Sequence, residues 1–249
     1  MIRVSASAFD ILWSDLGHAR VPPPLQVRSV GRTAEERAEI RDSVYANLAE
    51  RGLAAGGEPD PALRDRLDVL ATASVVVECE ALVDMAEAEP LRALAAGRGE
   101  GEGVLAVQPR QTIGLTPIRD SEVFVAAVSV LPDLEPGPGY GVSLPVSALG
   151  DAVEDPVFGS GGGGSGPFER QIREVLAIQA RPVLGAGQFS VRVRRDGKLH
   201  RLGGLSWFGT DVGAYLGTVA PGRGDEDWLS VAPVDSDRLV ARLADILRD

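Results

Sequence analysis

"PALRDRLDVLA" occupies residues 61–71 and "PFERQIREVLA" residues 167–177. At a constant offset of 106 the two share Pro, Arg, Val, Leu and Ala, and Asp68 stands opposite Glu174. Each reads as a helix opened by proline, whose missing N–H costs nothing in a first turn. Farther on, "LTPIRDSEVFVAAVSVL" (115–131) aligns with "VAPVDSDRLVARLADIL" (231–247) at an offset of 116. Both are a strand ending in proline, then a helix with apolar residues at every third or fourth place. Two matches in one order, with similar strands between, point to a degenerate duplication. Chance likeness of two ordinary α+β segments is the competing explanation.

The elements between these anchors follow the same order. "ASAFDILWSDLG" is a short helix, with Phe9, Leu12, Trp13 and Leu16 at helical spacing and Gly17 as its stop. "PPPLQVRSV" is extended. Thr33 opens "TAEERAEIRDSVYANLAERG", with Glu36 completing a capping box and Gly52 closing the helix. Asp60 caps the helix from Pro61, and strands "VVVECEAL", "PLRALAAG", "GVLAVQP" and "TIGLTPI" precede a helix from about Asp120 to Leu131. The second half offers extended "GVSLPV", a short helix in "VSALGDAV", and the helix "PFERQIREVLAIQA". Strands "QFSVRVRR", "KLHRLGGLSWF", "GAYLGTV" and "WLSVAPV" lead to a closing amphipathic helix. The expected organisation is one α+β domain, 1–249, with pseudo-repeat halves of about 1–135 and 136–249. Its seam is the rigid "LPDLEPGPG" (131–139). "GSGGGGSG" (159–166) looks like a tether, yet the repeat places it between two helices, as a flexible loop.

Bulk properties narrow the function. The 249 residues are 44% hydrophobic and 24% charged, which suits a globular chain with a real core. Twenty-five basic against 36 acidic residues give −11, which argues against nucleic acid. The lone basic cluster, "RVRRDGK" (192–198), alternates like a strand entering a turn. No basic-then-apolar leader and no apolar run of membrane-crossing length is visible. Cys79 is the only cysteine and sits in an apolar run, so a buried structural thiol is expected rather than a nucleophile. A soluble, reducing, cytoplasmic setting follows.

No catalytic constellation assembles. His18 follows a helix end, where a cation is favourable. His200 reads as a strand residue, and two histidines without a local Asp/Glu cluster support no metal site. "GRGEGEG" (97–103) lacks the Walker ending, carries Glu100 and Glu102 that repel phosphate, and opens no helix. It reads as a tight turn between strands. No G-x-S-x-G elbow occurs. No cofactor is expected. Glu78 and Glu80 share one face of "VVVECEAL", and Ser190, Arg192 and Arg194 one face of "QFSVRVRR". These strands hold corresponding places, so the two polar faces either meet, acid against base, or are solvated separately.

"FDILWSDLG", "PPPLQV", "GRTAEER", "GVLAVQ", "LSWFGTDVGAYL" and "WLSVAPVDSDRLVARL" together resemble the EspG family of actinobacterial ESX (type VII) secretion proteins, from about Phe9 to Leu247. The strongest block is Trp207, Phe208 and Asp211 with Gly213 and Tyr215. The resemblance implies a central, mainly antiparallel sheet with two helical bundles and quasi-twofold halves. It also implies a cytoplasmic chaperone that grips the tip of the PPE bundle in a PE–PPE heterodimer. The glycine run departs from the family pattern, and the loop "DMAEAEP" (84–90) is short.

The expected mode is therefore an apolar contact patch with a polar rim. The candidate partner-binding residues are Met85, Arg192 and Arg194, with Glu87 and Glu89 at the rim. At least one of Trp207 and Phe208 is expected in the core. Two alternatives stand: a small-molecule enzyme with carboxylates such as Asp211 in a cleft, and a structural or weak homodimer.

Overall fold

Capping side chains decide where the helices begin. Ser5 accepts Ala8 N–H at the start of α1 (Ala6–Asp15). Thr33 accepts Glu36 N–H at the start of α2 (Ala34–Glu50). Asp60 accepts Ala62 N–H at the start of α3 (Pro61–Thr72). Each cap satisfies an N–H that has no partner within its helix. The box at Thr33 is displaced by one residue from the expected form, since the Glu36 carboxylate accepts Arg32 N–H instead of that of Thr33.

The structure is a computed structural model that describes residues 1–148, 168–221 and 226–248. The glycine run 159–166 and most of the expected "VSALGDAV" helix lie outside the described residues. The strands are β1 (Ile2–Ser5), the two-residue β2 (Ala54–Ala55) and β3 (Glu58–Pro59), β4 (Val75–Leu82), β5 (Leu91–Gly99), β6 (Glu102–Gln108) and β7 (Thr112–Ile118). A 3-10 turn, Asp120–Glu122, leads into α4 (Val123–Val128). Then come β8 (Val142–Pro145), α5 (Glu169–Gln179), β9 (Val183–Arg195), β10 (Lys198–Thr210), β11 (Gly213–Pro221), β12 (Asp227–Pro233) and α6 (Ser236–Arg248).

Ten strands are hydrogen-bonded in the order β1-β7-β6-β5-β4-β9-β10-β11-β12-β8. The same connectivity occurs twice. A four-strand meander (β4 to β7, β9 to β12) is completed by the strand that opens its half. β1 pairs antiparallel with β7, Ile2 opposite Leu115. β8 pairs antiparallel with β12, Val142 opposite Val231. β1 is absent from the sequence reading, because four residues are too few to display an alternation.

Two compact units divide the chain, and their membership does not follow chain order. One comprises Met1–Ala81, Glu89–Val130 and Ser190–Gly203; the other comprises Leu82–Ala88, Leu131–Phe189 and Gly204–Asp249. The first is built on Phe9, Leu12 and Trp13 of α1 and Leu63, Leu67 and Leu70 of α3. They pack with Val76, Leu94, Val104 and Leu115 from the sheet. The second is built on Val142, Leu144, Val175, Ile178, Tyr215 and Val231, with Phe168 and Phe208 against them. Each such side chain contributes about 1.5–3 kcal/mol when fully buried. Trp207 is buried and Phe208 half-buried, as expected of that aromatic pair.

Candidate protein-interaction surface

Within the second unit, the turn after β4 is laid against the start of β9. Met85 N–H donates to the Leu184 carbonyl at 2.9 Å. Gly185 makes this possible: a Cβ there would stand 2.8 Å from the Val83 carbonyl oxygen and 3.1 Å from that of Leu82. Asp84 shapes the turn, its carboxylate accepting Ala86 N–H and its carbonyl accepting Glu87 N–H. Four apolar side chains are thereby left facing water on adjoining backbone: Val83 (38% exposed), Met85 (47%), Val183 (42%) and Leu184 (54%). Clustered exposed apolar side chains edged by acids are the composition of a protein-contact patch.

Of the sequence candidates, Met85 and Glu87 belong to this shelf. Glu89 is exposed, a short step farther along the chain and in the first unit. Val83, Val183 and Leu184 were not anticipated. "PVLGAG" reads as the apolar start of a buried strand, and nothing in its spacing signals that its first two apolar residues stay uncovered.

Arg192 and Arg194 lie in the first unit, where each makes contacts within the chain. The polar faces of β4 and β9 meet: Arg192 Nε stands 2.6 Å from Glu78 Oε1. The N–H is not aimed along that line, so this is an ion pair rather than an aligned hydrogen bond. Glu78 is only 8% exposed. Burial pushes its carboxyl above the ordinary carboxylate range, while Arg192, and Arg201 beyond it, pull in the opposite direction. Two residues on, Glu80 faces Arg92 directly across β4 and β5, Nε to Oε1 3.3 Å. Arg194 is a clamp on the end of α3. Its Nε donates to the Ala73 carbonyl (2.9 Å) and its Nη2 to the Ala71 carbonyl (2.8 Å), while its Nη1 reaches Gly197 O (2.9 Å). A cation at a helix C-terminus meets both unpaired carbonyls and the negative end of the dipole.

The other groups weighed from sequence take structural places. Cys79 is buried, and burial lifts its thiol to about 12, out of reach of thiolate chemistry. His18 packs on Trp13 and sets Nε2 3.0 Å from Asp68. His200 is an exposed residue of β10. Asp211 pairs with Arg181 at 3.3 Å. "GRGEGEG" is a turn between β5 and β6, with Gly99, Glu100 and Gly101 all at positive φ. Among the described residues, no three His, Cys, Asp or Glu side chains stand together as a metal site. Among those residues, too, no helix is long and apolar enough to cross a membrane.

The sequence model of the EspG family matches residues 5–245. No curated protein matches the chain. Among solved structures, it is similar to the type VII secretion system chaperone EspG5 of Mycobacterium tuberculosis, determined in complex with a PE25–PPE41 dimer. Identity is 15%, the TM-score is 0.71, and the match covers 99% of this chain and 95% of that one.

Proposed function

This chain belongs to the EspG family, and on that premise we propose that it is a cytoplasmic chaperone of a type VII secretion system. Its cargo is a helical PE–PPE-type heterodimer, held at the tip of the PPE partner and kept soluble for export. The likeness in fold to EspG5, solved with a PE25–PPE41 dimer, supports this reading. The observation that carries it is the shelf of Val83, Met85, Val183 and Leu184. An apolar bundle tip exposed in water aggregates. Covering it with a matching apolar surface removes both surfaces from solvent, at roughly 25 cal/mol per Å² of apolar area. Glu87 follows Met85 as an acidic rim residue, setting which tips are accepted more than how tightly they are held. The action is binding, without chemical conversion.

Co-expression with PE–PPE-like pairs from the same genome tests it. A stoichiometric ternary complex is expected, and Met85→Asp/Leu184→Asp should abolish capture while leaving the protein folded. Failure of every such pair to co-purify overturns the reading. So does a chaperone mass that doubles with concentration and is reduced by the same double substitution, which would make the shelf a self-association surface.

A further inference from the structure

A cleft of about 630 Å³ in the first unit is lined by Arg20, Val21, Pro23, Leu25, Gln26, Val27, Arg28 and Arg192. Its wall is the irregular strap between α1 and α2, and the strap is pinned at three points. Trp13 Nε1 donates to Ala19 O at 2.6 Å. The buried Gln108 side chain accepts Gln26 N–H (2.7 Å) and donates to Gln26 O (2.8 Å), imitating a neighbouring strand. Asp10 accepts Val30 N–H, and Arg37 bridges Asp10 and Val30 O at 2.7 Å each. The cleft is thus held open by the protein's own bonds, and a ligand would not have to order it.

Its charges are unusual for a chain with 36 acidic and 25 basic residues. The guanidiniums of Arg20 and Arg28 form no ion pair or hydrogen bond with any described residue. They contrast with Arg37, Arg41, Arg92, Arg98 and Arg181, each set against a carboxylate. Arg192 is held from behind through Nε by Glu78; among the described residues no other carboxylate pairs with it and its two Nη groups donate no hydrogen bond. Between Arg20 and Arg28 the lining is aliphatic apart from Gln26: Val21, Pro23, Leu25 and Val27. Guanidinium forks match carboxylates, and an apolar floor between them matches aliphatic side chains.

We propose that this cleft binds a short, extended segment of a partner protein in which acidic residues flank aliphatic ones. Arg20, Arg28 and the Nη groups of Arg192 receive the carboxylates, and Val21, Leu25 and Val27 receive the apolar side chains. Glu78 positions Arg192 and does not itself touch the ligand. The site shares no residue with the shelf and does not depend on the chaperone reading.

The test uses the full chain and a fluorescein-labelled, end-blocked peptide of alternating Asp and Leu, followed by anisotropy at low salt. A twin with Asn for Asp is the control. Binding of the acidic peptide alone is expected. It should weaken about tenfold or more in Arg20→Ala/Arg28→Ala, whose residues are exposed, and in added salt. Arg238→Ala/Arg242→Ala, with the same loss of charge elsewhere, should bind as the parent does. Absence of acidic-peptide binding overturns the proposal, as does equal binding of the Asn twin or equal weakening in the two double variants. Comparable capture of a heparin fragment would make the site a general polyanion trap and overturn it as well.

Discussion

Glu78 on β4 and Arg192 on β9 form an ion pair 2.6 Å long with the acid almost wholly covered, its side chain 10% exposed against 28% for the arginine. Desolvation outweighs the arginine's pull, since the carboxyl is displaced upward overall. A carboxyl raised in the folded state contributes its full stability below the ordinary value of 4.5 and loses it as pH rises through the folded value. At neutral pH the buried charge is therefore a cost that Arg192 offsets. Arg192→Ala should destabilise by about 2–3 kcal/mol at pH 7. That deficit should shrink on going to pH 5, as Glu78 takes up a proton. Glu78→Gln should stay within about 1 kcal/mol of the parent and lose this pH dependence. Urea unfolding at the two pH values checks the set; a deficit that grows with acid contradicts it.

Arg194→Ala removes three hydrogen bonds to carbonyls, two of them at the end of α3. A loss of roughly 1.5–3 kcal/mol is expected, with faster amide exchange in the last turn of that helix. Arg194→Lys should recover only part of it, because a single ammonium cannot span the fork. Cargo capture per folded molecule should not change, which separates this residue from the contact surface.

The shelf should behave in the opposite way. Met85→Ala and Leu184→Ala remove exposed side chains, so unfolding midpoints should stay within about 0.5 kcal/mol of the parent. Cargo affinity should fall about tenfold or more for at least one of them, as for an anchor at the centre of a patch. Titration calorimetry against the purified PE–PPE pair measures it, and unchanged affinity in both variants removes the shelf from the contact.

Cys79 should be chemically silent. With the thiol buried and lifted to about 12, reaction with an aromatic disulfide reagent requires unfolding. Labelling of the native protein should be slower than that of the urea-unfolded chain by on the order of a thousandfold or more.

Parts of this molecule are legible in its residues for stated reasons. The caps at Thr33 and Asp60 announce their helices, because local hydrogen bonding needs no tertiary context. Acid–base contact between β4 and β9 was visible as one of two outcomes. Strand alternation shows which residues share a face but not whether two faces meet. The bonds of Arg194 are not legible in the sequence, because its partners are backbone carbonyls, which carry no sequence signature. Val183 and Leu184 were missed because exposure belongs to the fold: the same two residues at a covered strand start would be core. The shelf depends on Gly185 admitting the Val83 backbone, a close approach that a single glycine does not reveal.

The connectivity shared by the two halves has a consequence for how the chain is made. Ile2, made before the strands it must join, finds its partner Leu115 only after the whole β4-to-β7 meander has emerged. Val142 waits in the same way for Val231. Each half is thus closed by its most distant contact, and loop closure of that length is paid before the pairing returns anything. Synthesis should therefore pass through a stage in which β7 is an open edge awaiting β1. At that stage the nascent chain is itself exposed to the misassociation that its mature form is proposed to prevent in others.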